Sequence, residues 1–461
     1  MENAFTPHPS SYRDPSGFIF TKDNVLYRQV NKVFASHYDH FINSGFYNKL
    51  IADNLLIPHE EIKENLTGNS NWYCTLKPEP VSFLSWPYEW CFDMLKDAAL
   101  LTLTLAKEAM AYGMILKDAT PYNIQLHKGK LIFIDSLSFE IYNSEEPWIA
   151  YRQFCEQFLA PLLLMHHHKT PLQQLMLAWP EGVPLSAAQK LLPGKTRFSL
   201  HTYLHIHLNA RVSNQPGNDR SKKIKFSRQK LINLLLSLET LVTKLKLPEQ
   251  KTSWSDYYAE ASGRDNYLDD KKRIIGEWLN NCSDIQTAAD FGANEGEFAR
   301  LVAEKNISTV ALDFDPYCIN RLYNWVKKTG EKKILPLVAD LVNPSPAIGL
   351  NNQERSSLIS RVKVDFGLAL ALVHHLAIGK NVPFECIAYF FYHTCRKRLL
   401  IEFVPKSDEK VQLMLKSKRD IYTDYNEENF VLAFKKYFSI AEKKEIGQSG
   451  RVLYLMTRDE N

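Results

Sequence analysis

Downstream of residue 250 the chain alternates between short apolar runs and longer segments in which apolar residues recur every three or four positions. The first pattern predicts buried strands, and the second predicts helices with one buried face. Elements that alternate in this way are typical of a parallel sheet covered on both faces. The predicted strands are TAADFG (287–292), TVALDFD (309–315), ILPLVADL (334–341), VDFGLALA (364–371) and RLLIEFVP (398–405), with helices at 269–280, 295–305 and 427–437.

The end of the chain departs from this alternation. SIAEKKEI–GQSG–RVLYLMTR contains two strand-like runs around a glycine-containing turn, which predicts an antiparallel hairpin at the sheet edge. The segment 251–461 is therefore predicted to be an α/β Rossmann-like domain. Its sheet is expected to have seven strands, mostly parallel, with an antiparallel terminal hairpin.

Upstream of residue 250 the pattern is mixed and predicts an α+β domain over 15–250, preceded by a flexible N-terminus at 1–14. GFIFTK–DN–VLYRQV (17–30) predicts a hairpin whose turn is Asp-Asn. Apolar residues at spacings of three and four predict a long helix from Phe92 to Met110. Prolines divide the helical segment 151–208 into short pieces.

The overall composition excludes several classes of protein. With 45% hydrophobic and 23% charged residues, the 461-residue chain has an ordinary globular composition. A net charge of +4 does not indicate a nucleic-acid partner. The seven cysteines include no C-x-x-C pair, and the apolar runs are too short to span a bilayer. We therefore predict a cytoplasmic protein without a disulfide framework, a zinc site or a membrane partner; the oligomeric state stays open.

The stretch ADFGANEGEFARL lies where the first strand of the second domain turns into a helix. Asp290 ends the strand, and Gly292 and Gly296 would let a ligand approach the backbone without a Cβ clash. A turn of this kind directs backbone N–H groups and the positive end of a helix towards a ligand. The stretch therefore predicts a cofactor site above the strand ends.

Four further polar residues bear on which cofactor that is. A pyrophosphate prefers G-x-G-x-x-G, but Asn294 occupies the second glycine position. Asp290 and Glu295 instead suit a cofactor with a cationic amino-acid end. Asp313 ends the second strand, where a carboxylate can accept hydrogen bonds from a ribose diol. Asp340 ends the third strand and can meet an adenine amino group.

Taken in order, these motifs resemble those of the class I S-adenosylmethionine-dependent methyltransferases. DFGANEG resembles the first motif of that family, LDFD the acidic second, VADL the third and DFGLALALVHHL the fourth. The resemblance implies S-adenosylmethionine as cofactor, with Asp290, Gly292 and Gly296 at its methionine end, Asp313 at the ribose and Asp340 at the adenine. It implies methyl transfer to an acceptor that stays unidentified. A doubly wound domain without a cofactor is the alternative.

His374 and His375 follow the fourth strand, above the sheet where an acceptor would lie. A neutral histidine there could take the proton of the acceptor, or it could instead pack over the cofactor or cap the next helix. The signature N/D-P-P-Y is absent from this place, so amino groups of nucleic-acid bases are not the favoured acceptor. Histidines at 166–168, 201, 205 and 207 lack acidic or cysteine partners at ligand spacing, and no metal is predicted there.

In the first domain, LKDATPYNIQLHKGKLIFID places Asp118 five positions before Asn123 and ends at Asp135. This spacing resembles the catalytic loop and metal-binding aspartate of the kinase-like superfamily, which implies Mg-ATP if the domain is active. Leu116 stands where that superfamily has a histidine, no glycine-rich loop precedes residue 80, and no strand lysine can be named. A degenerate kinase-like domain is therefore the favoured interpretation, with small-molecule phosphotransfer as an alternative.

The order of the two domains also resembles that of bacterial proteins described as host-specific nodulation proteins. The main hypothesis from the sequence is a methyltransferase, and its rival is a non-catalytic scaffold or nucleotide sensor. An aromatic stripe, Trp254, Tyr257 and Tyr258, precedes the second domain and is expected to be core, although an aromatic face would suit a sulfonium.

Overall fold

The computed structural model of the chain describes residues 5–144, 146–213, 227–252, 266–416 and 418–459. These residues divide into two units. Unit 1 comprises residues up to Pro248 together with Ile348–Arg355, and unit 2 comprises Glu249–Ala347 and the residues from Ser356 onward. The aromatic stripe at 254–258 lies outside the described residues.

The strands described in unit 1 are β1 (Thr6–Pro7), β2 (Gly17–Lys22), β3 (Val25–Asn31), β4 (His59–Ile62), β5 (Trp72–Pro78), β6 (Met114–Leu116), β7 (Ile124–His127), β8 (Lys130–Phe133) and β9 (Phe139–Ile141). The first five form an antiparallel sheet in the order β1-β2-β3-β5-β4. Two short antiparallel pairs, β6 with β9 and β7 with β8, follow this sheet along the chain.

The predicted first hairpin is confirmed, because β2 and β3 pair around Asp23 and Asn24. Both turn residues have positive φ, 51° and 61°, as a two-residue turn that matches strand twist requires. The predicted flexible N-terminus is wrong for residues 6 and 7, since β1 pairs with Thr21 and Phe20 of β2. An extended edge segment can satisfy its backbone hydrogen bonds by pairing in this way. Such a segment needs no apolar periodicity, so the hydrophobic pattern does not predict it.

The helices of unit 1 are mostly short after one long helix. They are α1 (Ala35–Asn43), α2 (Phe46–Ala52), α3 (Phe92–Ala111), α4 (Tyr151–Phe154), α5 (Ala160–His168), α6 (Leu175–Ala178), α7 (Leu185–Leu191), α8 (Leu200–Thr202), α9 (Asn209–Ser213) and α10 (Arg228–Lys244), with π turns at Cys155–Leu159 and Tyr203–Leu208. Helix α3 coincides with the prediction from its apolar spacing, and eleven of its residues are buried.

Unit 2 is a Rossmann-like domain built on a seven-stranded mixed sheet in the order β12-β11-β10-β13-β14-β16-β15. The first five strands in this order are parallel, and β16 is antiparallel to both of its neighbours. The strands are β10 (Thr287–Phe291), β11 (Ser308–Asp313), β12 (Ile334–Val338), β13 (Val364–Ala369), β14 (Cys395–Phe403), β15 (Phe438–Glu445) and β16 (Val452–Arg458).

The order in which the chain adds strands to the sheet reverses beside β10. From β10 the chain proceeds to β11 and β12 on one side, and then returns to β13 and β14 on the other side. Such a switch point leaves a crevice outside the carboxyl ends of the central strands, because the two following connections leave in opposite directions. The turns after β10 and β13 both open at this crevice.

Several helices of unit 2 pack against strands of the sheet. The helices described in this unit are α11 (Tyr267–Asn280), α12 (Glu297–Ala303), α13 (Pro316–Thr329), α14 (Leu358–Arg361), α15 (Phe384–Thr394), α16 (Glu409–Lys416) and α17 (Glu427–Phe434), with a π turn at His375–Gly379. One core cluster joins Trp278 of α11 and Phe298 of α12 to Phe366 and Leu400 of the sheet. Among the described residues, no helix has the length and apolar character needed to cross a membrane.

The segment Ile348–Arg355 differs from the division predicted from sequence, which placed it in the second domain. It groups with unit 1. Arg13 Nη2 lies 2.9 Å from Glu354 Oε1, and the guanidinium of Arg355 lies 3.7 Å from the ring centroid of Tyr122. These contacts join residues far apart in sequence, which local patterning does not encode.

Candidate functional site

The turn after β10 is tight and is held by the neighbouring strand. Gly292 N and Ala293 N both donate to Leu312 O, at 2.8 and 3.0 Å. Gly292, Asn294 and Gly296 have φ values of 82°, 51° and 80°, a left-handed conformation that glycine adopts at least cost. The glycines predicted to form a ligand turn therefore do form one at the head of the sheet.

Gly296 is also required by close packing. A Cβ built on it would lie 2.5 Å from Cδ1 of Leu322, a residue of α13 that is fully buried. A Cβ on Gly292 would meet Cδ1 of Leu372 at 3.4 Å, which is an ordinary contact. Gly296 therefore allows the start of α12 to pack closely against α13, whereas Gly292 has more open space around it.

We expect Gly296→Ala to destabilise unit 2 more than Gly292→Ala. Both substitutions carry the cost of a positive φ, about 1–2 kcal/mol. Gly296→Ala adds an overpacking cost of about 1–3 kcal/mol, because the neighbouring Leu322 is buried on all sides. Urea unfolding of the two variants measures the difference, and equal destabilisation would contradict this account.

Asp313 lies at the end of β11, beside the turn. Its Oδ2 accepts from Asn294 N at 2.7 Å, and its Oδ1 accepts from Asp315 N at 2.8 Å. Burial raises the pKa of Asp313 to about 6, although the backbone hydrogen bonds from Asp315 and Asn294 act in the opposite direction. A carboxylate oxygen that accepts one bond can accept another, so the side chain can serve both the turn and a ligand.

Asp290 is the penultimate residue of β10 and is 2% exposed. Its Oδ2 has no hydrogen-bond partner among the described residues. Burial and the neighbouring charge of Asp313 raise the pKa of Asp290 to about 7, while the charge of Lys271 lowers it. An unpaired carboxylate oxygen in a buried position costs free energy unless a ligand supplies a donor.

A cavity of about 480 Å³ opens in front of these strand ends, a size within the usual range for small-molecule sites. It is lined by residues of α11, α12 and α16, of the strand ends and turns from β10 to β13 and of the π turn, and by the residue that precedes β16: Lys271, Asp290, Gly292, Asn294, Phe298, Leu312, Asp313, Phe314, Ala339, Asp340, Leu341, Val342, Leu370, Ala371, Leu372, His374, His375, Leu376, Gly379, Lys380, Lys410, Leu413, Met414 and Arg451. Most of the predicted cofactor residues are therefore brought together.

Glu295 and Gly296 are the exceptions among those residues. Glu295 does not line the cavity; its Oε1 accepts from Arg321 Nε of α13 at 2.8 Å. The ion pair with Arg321 engages this side chain outside the cavity wall. Gly296 acts through packing instead of facing the cavity, whereas Asp340 lines it and accepts from Val342 N at 3.0 Å.

His374 and His375 stand at the start of the π turn, with ring centroids 4.0 Å apart. Burial and the charge of His375 lower the pKa of His374 well below 6.5, and its Nδ1 has no partner among the described residues. Burial and the charge of Arg451 lower the pKa of His375 to about 4. Both rings are consequently neutral at physiological pH, so either can accept a proton.

A buried ion network underlies the cavity and was not predicted from the sequence. Lys271 Nζ lies 2.6 Å from Glu402 Oε2, and Arg451 Nη1 lies 3.3 Å from Glu402 Oε1. Tyr267 donates to Glu402 Oε1 at 2.8 Å, and Arg451 Nε reaches Asp408 Oδ2 at 2.8 Å. Burial alone would raise the pKa of Glu402, but the charges of Lys271 and Arg451 outweigh it and lower the pKa to about 2.

A signal for this network was present in two local patterns. Lys271 interrupts the apolar stripe of α11, between Tyr267 and Ile274, and Glu402 interrupts the apolar run of β14. A charge on an otherwise buried face requires a partner of opposite charge. The patterns therefore indicate that partners exist, but not which residues they are.

Asp118, Asn123 and Asp135 of unit 1 also come together, but each is engaged by protein groups. Asp118 accepts from Asn123 Nδ2 at 3.0 Å and from Gln153 Nε2 at 2.6 Å. Arg28 Nη1, on β3, lies 2.7 Å from Asp135 Oδ1. Burial and the charge of Asp135 raise the pKa of Asp118. Among the described residues, no group of three or more histidine, cysteine or acidic side chains could hold a metal ion.

Comparison with known proteins finds a relative along the full length of the chain. Nodulation protein NoeA of Rhizobium meliloti (strain 1021) is 32% identical over 476 residues, which cover 99% of this chain and 98% of that protein. No protein-family model matches the chain.

Similarity to solved structures is weak. The N-methyltransferase NodS from Bradyrhizobium japonicum WM9 is 12% identical and covers 43% of this chain and 99% of its own, with a TM-score of 0.30. The magnesium protoporphyrin IX methyltransferase ChlM from Synechocystis PCC 6803, with bound SAH, is 14% identical and covers 42% of this chain and 84% of its own, with a TM-score of 0.32. Because the identity to NoeA extends over 99% of this chain, the chain belongs to the family of nodulation protein NoeA.

Proposed function

We propose that the chain is an S-adenosylmethionine-dependent methyltransferase and that unit 2 carries the activity. The observation that supports this most strongly is the buried Asp290 Oδ2, which has no hydrogen-bond partner among the described residues and lies in a cavity whose wall also contains Asp313 and Asp340. A cofactor with an ammonium group, a ribose diol and an adenine amino group offers donors to three carboxylates in such an order. Asp290 and Asp313 lie at the carboxyl ends of β10 and β11, and Asp340 follows β12; these three strands are adjacent and parallel.

Each residue then has a defined task. Asp290 would accept from the ammonium group, Asp313 would accept from the ribose hydroxyls, and Asp340 would accept from the adenine amino group. Phe314, which is 54% exposed and lines the cavity, offers an aromatic face at the entrance. When bound, S-adenosylmethionine supplies an activated methyl group, so the protein mainly needs to align an acceptor and exclude water.

His374 is the favoured proton acceptor if the acceptor atom carries a proton. Its imidazole is neutral and its Nδ1 is unpartnered within the described chain. Burial makes the imidazolium form costly in free energy. The methyl donor loses its positive charge when the methyl group is transferred, so a proton taken up by His374 in that step leaves the net charge of the cavity unchanged. His375, which is less buried, is the second choice for this role.

Calorimetry on the full chain tests the proposal. S-adenosylmethionine and S-adenosylhomocysteine should both bind with one site per chain. Asp340→Ala should weaken both roughly equally, by about tenfold for one charge-assisted hydrogen bond. If the wild-type protein binds neither compound, the proposal fails.

We expect cofactor affinity to depend on pH between about 6 and 7. Without ligand, the pKa values of Asp313 and Asp290 lie at about 6 and about 7, and a cationic ligand favours their ionised forms. Affinity should therefore fall as the pH decreases below 7, by about tenfold per unit for each proton displaced, and reach a plateau above it.

Asp290→Asn provides the control for this pH dependence, since it preserves the shape of the side chain but cannot ionise. The variant should bind more weakly than the wild type at neutral pH and should lose the upper of the two transitions. Calorimetric titrations over the pH range measure both effects. An unchanged pH profile in Asp290→Asn would assign the transition to another group.

For unit 1 we propose a kinase-like but catalytically inactive domain. The supporting observation is the Arg28–Asp135 ion pair, at 2.7 Å and with both side chains largely buried, since it occupies the carboxylate that an active domain would offer to magnesium. The rival, small-molecule phosphotransfer, requires that pair to open.

Equilibrium binding of Mg-ATP distinguishes the two alternatives for unit 1. We expect no saturable binding by the wild-type protein and no change in S-adenosylhomocysteine affinity on adding Mg-ATP. Saturable Mg-ATP binding that Asp135→Ala abolishes would instead support phosphotransfer.

A further inference from the structure

An exposed apolar face of unit 1 lies on a helical segment formed by α8, the π turn at Tyr203–Leu208 and α9, which follow one another directly along the chain. Leu200 is 68% exposed, and Leu204 and Leu208 are also exposed. Because residues four positions apart lie on one side of a helix, these three leucines share a side. Phe198, two residues before the segment, is 92% exposed. We call Phe198, Leu200, Leu204 and Leu208 the apolar face.

The buried side of the same segment carries polar groups that have partners inside unit 1. His205 Nδ1 lies 2.8 Å from Tyr151 Oη, and His205 Nε2 lies 2.9 Å from Ser237 Oγ. His207 Nε2 lies 2.9 Å from Thr196 Oγ1. Buried polar groups need such partners, so a rotation that buried the leucines would break these hydrogen bonds. The leucines are therefore kept on the outside, which is the reverse of the usual arrangement in a surface helix.

Cations lie beside the apolar face in the chain. Lys195 and Arg197 are exposed and come directly before it, and Arg211 is exposed three residues after Leu208. Arg211 Nη1 lies 3.5 Å from Tyr203 Oη. In the part of the chain that the structure describes, none of these three cations has an ion-pair partner.

The surrounding elements supply little negative charge. From residue 182 to residue 218 the sequence contains no aspartate or glutamate. Helix α7 packs against the π turn and α10 packs against α8. The single acidic residue of α10, Glu239, pairs with Lys107 at 2.7 Å. The apolar face is thus accompanied by cations that the described residues do not neutralise, and this combination favours a partner that is both apolar and anionic.

We propose that the apolar face of unit 1 binds the surface of an anionic lipid bilayer. Phe198 and the three leucines enter the boundary between headgroups and acyl chains, while Lys195, Arg197 and Arg211 lie at the lipid phosphates. A segment that lies on a bilayer needs only an exposed apolar face. The shortness of the apolar runs in the sequence bears on spanning a bilayer and not on this mode of binding. The inference is independent of the methyltransferase function proposed for unit 2.

A second copy of the chain fits the apolar face less well. A two-fold contact places the same surface of both copies together. It would therefore bring Lys195, Arg197 and Arg211 of one copy close to the same cations of the other, and like charges repel. An anionic bilayer gains from these charges.

Sedimentation of the full chain with lipid vesicles tests the proposal. One set of vesicles consists of phosphatidylcholine, and the other of equimolar phosphatidylcholine and phosphatidylglycerol. Each cation near an anionic surface strengthens binding by about fivefold, so the mixed vesicles should bind the chain about tenfold or more tighter than the neutral ones. High salt should reduce this difference, because it screens the charges.

A first pair of variants tests the apolar residues. Phe198→Ser with Leu200→Ser should weaken binding to the mixed vesicles by about tenfold or more, since two side chains no longer leave water. Leu26→Ser with Val33→Ser is the matched control, because both residues are exposed apolar residues of unit 1 outside the apolar face. The control should leave binding unchanged.

A second pair of variants tests the cations. Lys195→Glu with Arg197→Glu should weaken binding to the mixed vesicles by about tenfold or more and leave binding to the neutral vesicles unchanged. Lys63→Glu with Lys130→Glu makes the same change of charge at two exposed lysines elsewhere in unit 1 and should have a much smaller effect. Circular dichroism of all four double variants verifies that they are folded.

Three results would overturn the proposal: equal binding of the wild-type protein to both kinds of vesicle, no binding to either, or equal effects of the variants and their controls. The comparison of the two kinds of vesicle needs only the wild-type protein, so it decides the matter even if a variant does not fold. A wild-type dimer in analytical ultracentrifugation that Phe198→Ser with Leu200→Ser dissociates, without vesicle binding, would assign the apolar face to a second copy instead.

Discussion

Replacing Glu402 with alanine should lower the free energy of unfolding of unit 2 by about 3–5 kcal/mol, the usual effect of removing one partner from a buried ion pair. Glu402 is 0% exposed, and it accepts from Lys271, Tyr267 and the backbone N–H of Ala371. Its removal leaves the ammonium of Lys271, itself 1% exposed, without its ion-pair partner. Most of the destabilisation comes from leaving the charge of Lys271 buried without its counter-charge, and not from losing the attraction between Lys271 and Glu402.

Urea unfolding followed by circular dichroism measures this effect, and the transition that shifts with S-adenosylhomocysteine belongs to unit 2. Glu385→Ala is the control, because its carboxylate is 57% exposed and lies 3.5 Å from an equally exposed lysine. Exposed pairs of this kind contribute about 0–1 kcal/mol. If both variants were destabilised alike, the network would not have the role assigned to it.

Glu402 also makes the stability of unit 2 depend on pH. Its folded pKa of about 2 lies below the ordinary value of 4.5. The stabilisation is therefore fully present above pH 4.5 and is lost as the pH falls towards 2. A Glu402→Gln variant should show a smaller loss of stability over this acidic range than the wild-type protein does.

Asp313→Ala should weaken S-adenosylmethionine binding by roughly ten- to a hundredfold, the range for one charge-assisted hydrogen bond together with partial loosening of the turn. The carboxylate holds Asn294 N and Asp315 N, so the substitution removes both a ligand contact and a support of the turn. Asp313→Asn preserves the shape and one acceptor oxygen, and should therefore cost less than the alanine variant.

Asp118→Ala is the matched control in the other unit. Asp118 is bound by Asn123 and Gln153 of unit 1 and is absent from the cavity wall, so its removal should leave S-adenosylmethionine affinity unchanged. Calorimetry on folded full-length variants makes the comparison. Equal losses in the 118 and 313 variants would show that Asp313 acts through general stability and not through the cofactor.

Hydrophobic spacing by itself determined most of the elements of unit 2. The apolar runs that lead to Asp290, Asp313 and Asp340 contain β10, β11 and β12, and the turn after β10 has the positive φ values that its glycines permit. Period and turn chemistry are local properties, so they can be read from neighbouring residues. The terminal hairpin, now β15 and β16, was predicted for the same reason.

The partners of the charged residues were decided only by the tertiary structure. Glu295 was expected at the cofactor, but its carboxylate pairs with Arg321. Asp135 was a candidate metal ligand, but it pairs with Arg28, a residue more than a hundred positions away in the chain.

The network of Lys271, Glu402 and Arg451 shows the physical reason. Local pattern identified Lys271 and Glu402 as charges on buried faces, but burial requires a partner without specifying one. The partner follows from strand order: β14 lies beside β16, which brings Glu402 of one next to the start of the other, where Arg451 stands. Strand order arises from packing of the whole sheet. A local stretch of sequence therefore determines which residues need a partner, and only the assembled sheet determines which residue that partner is.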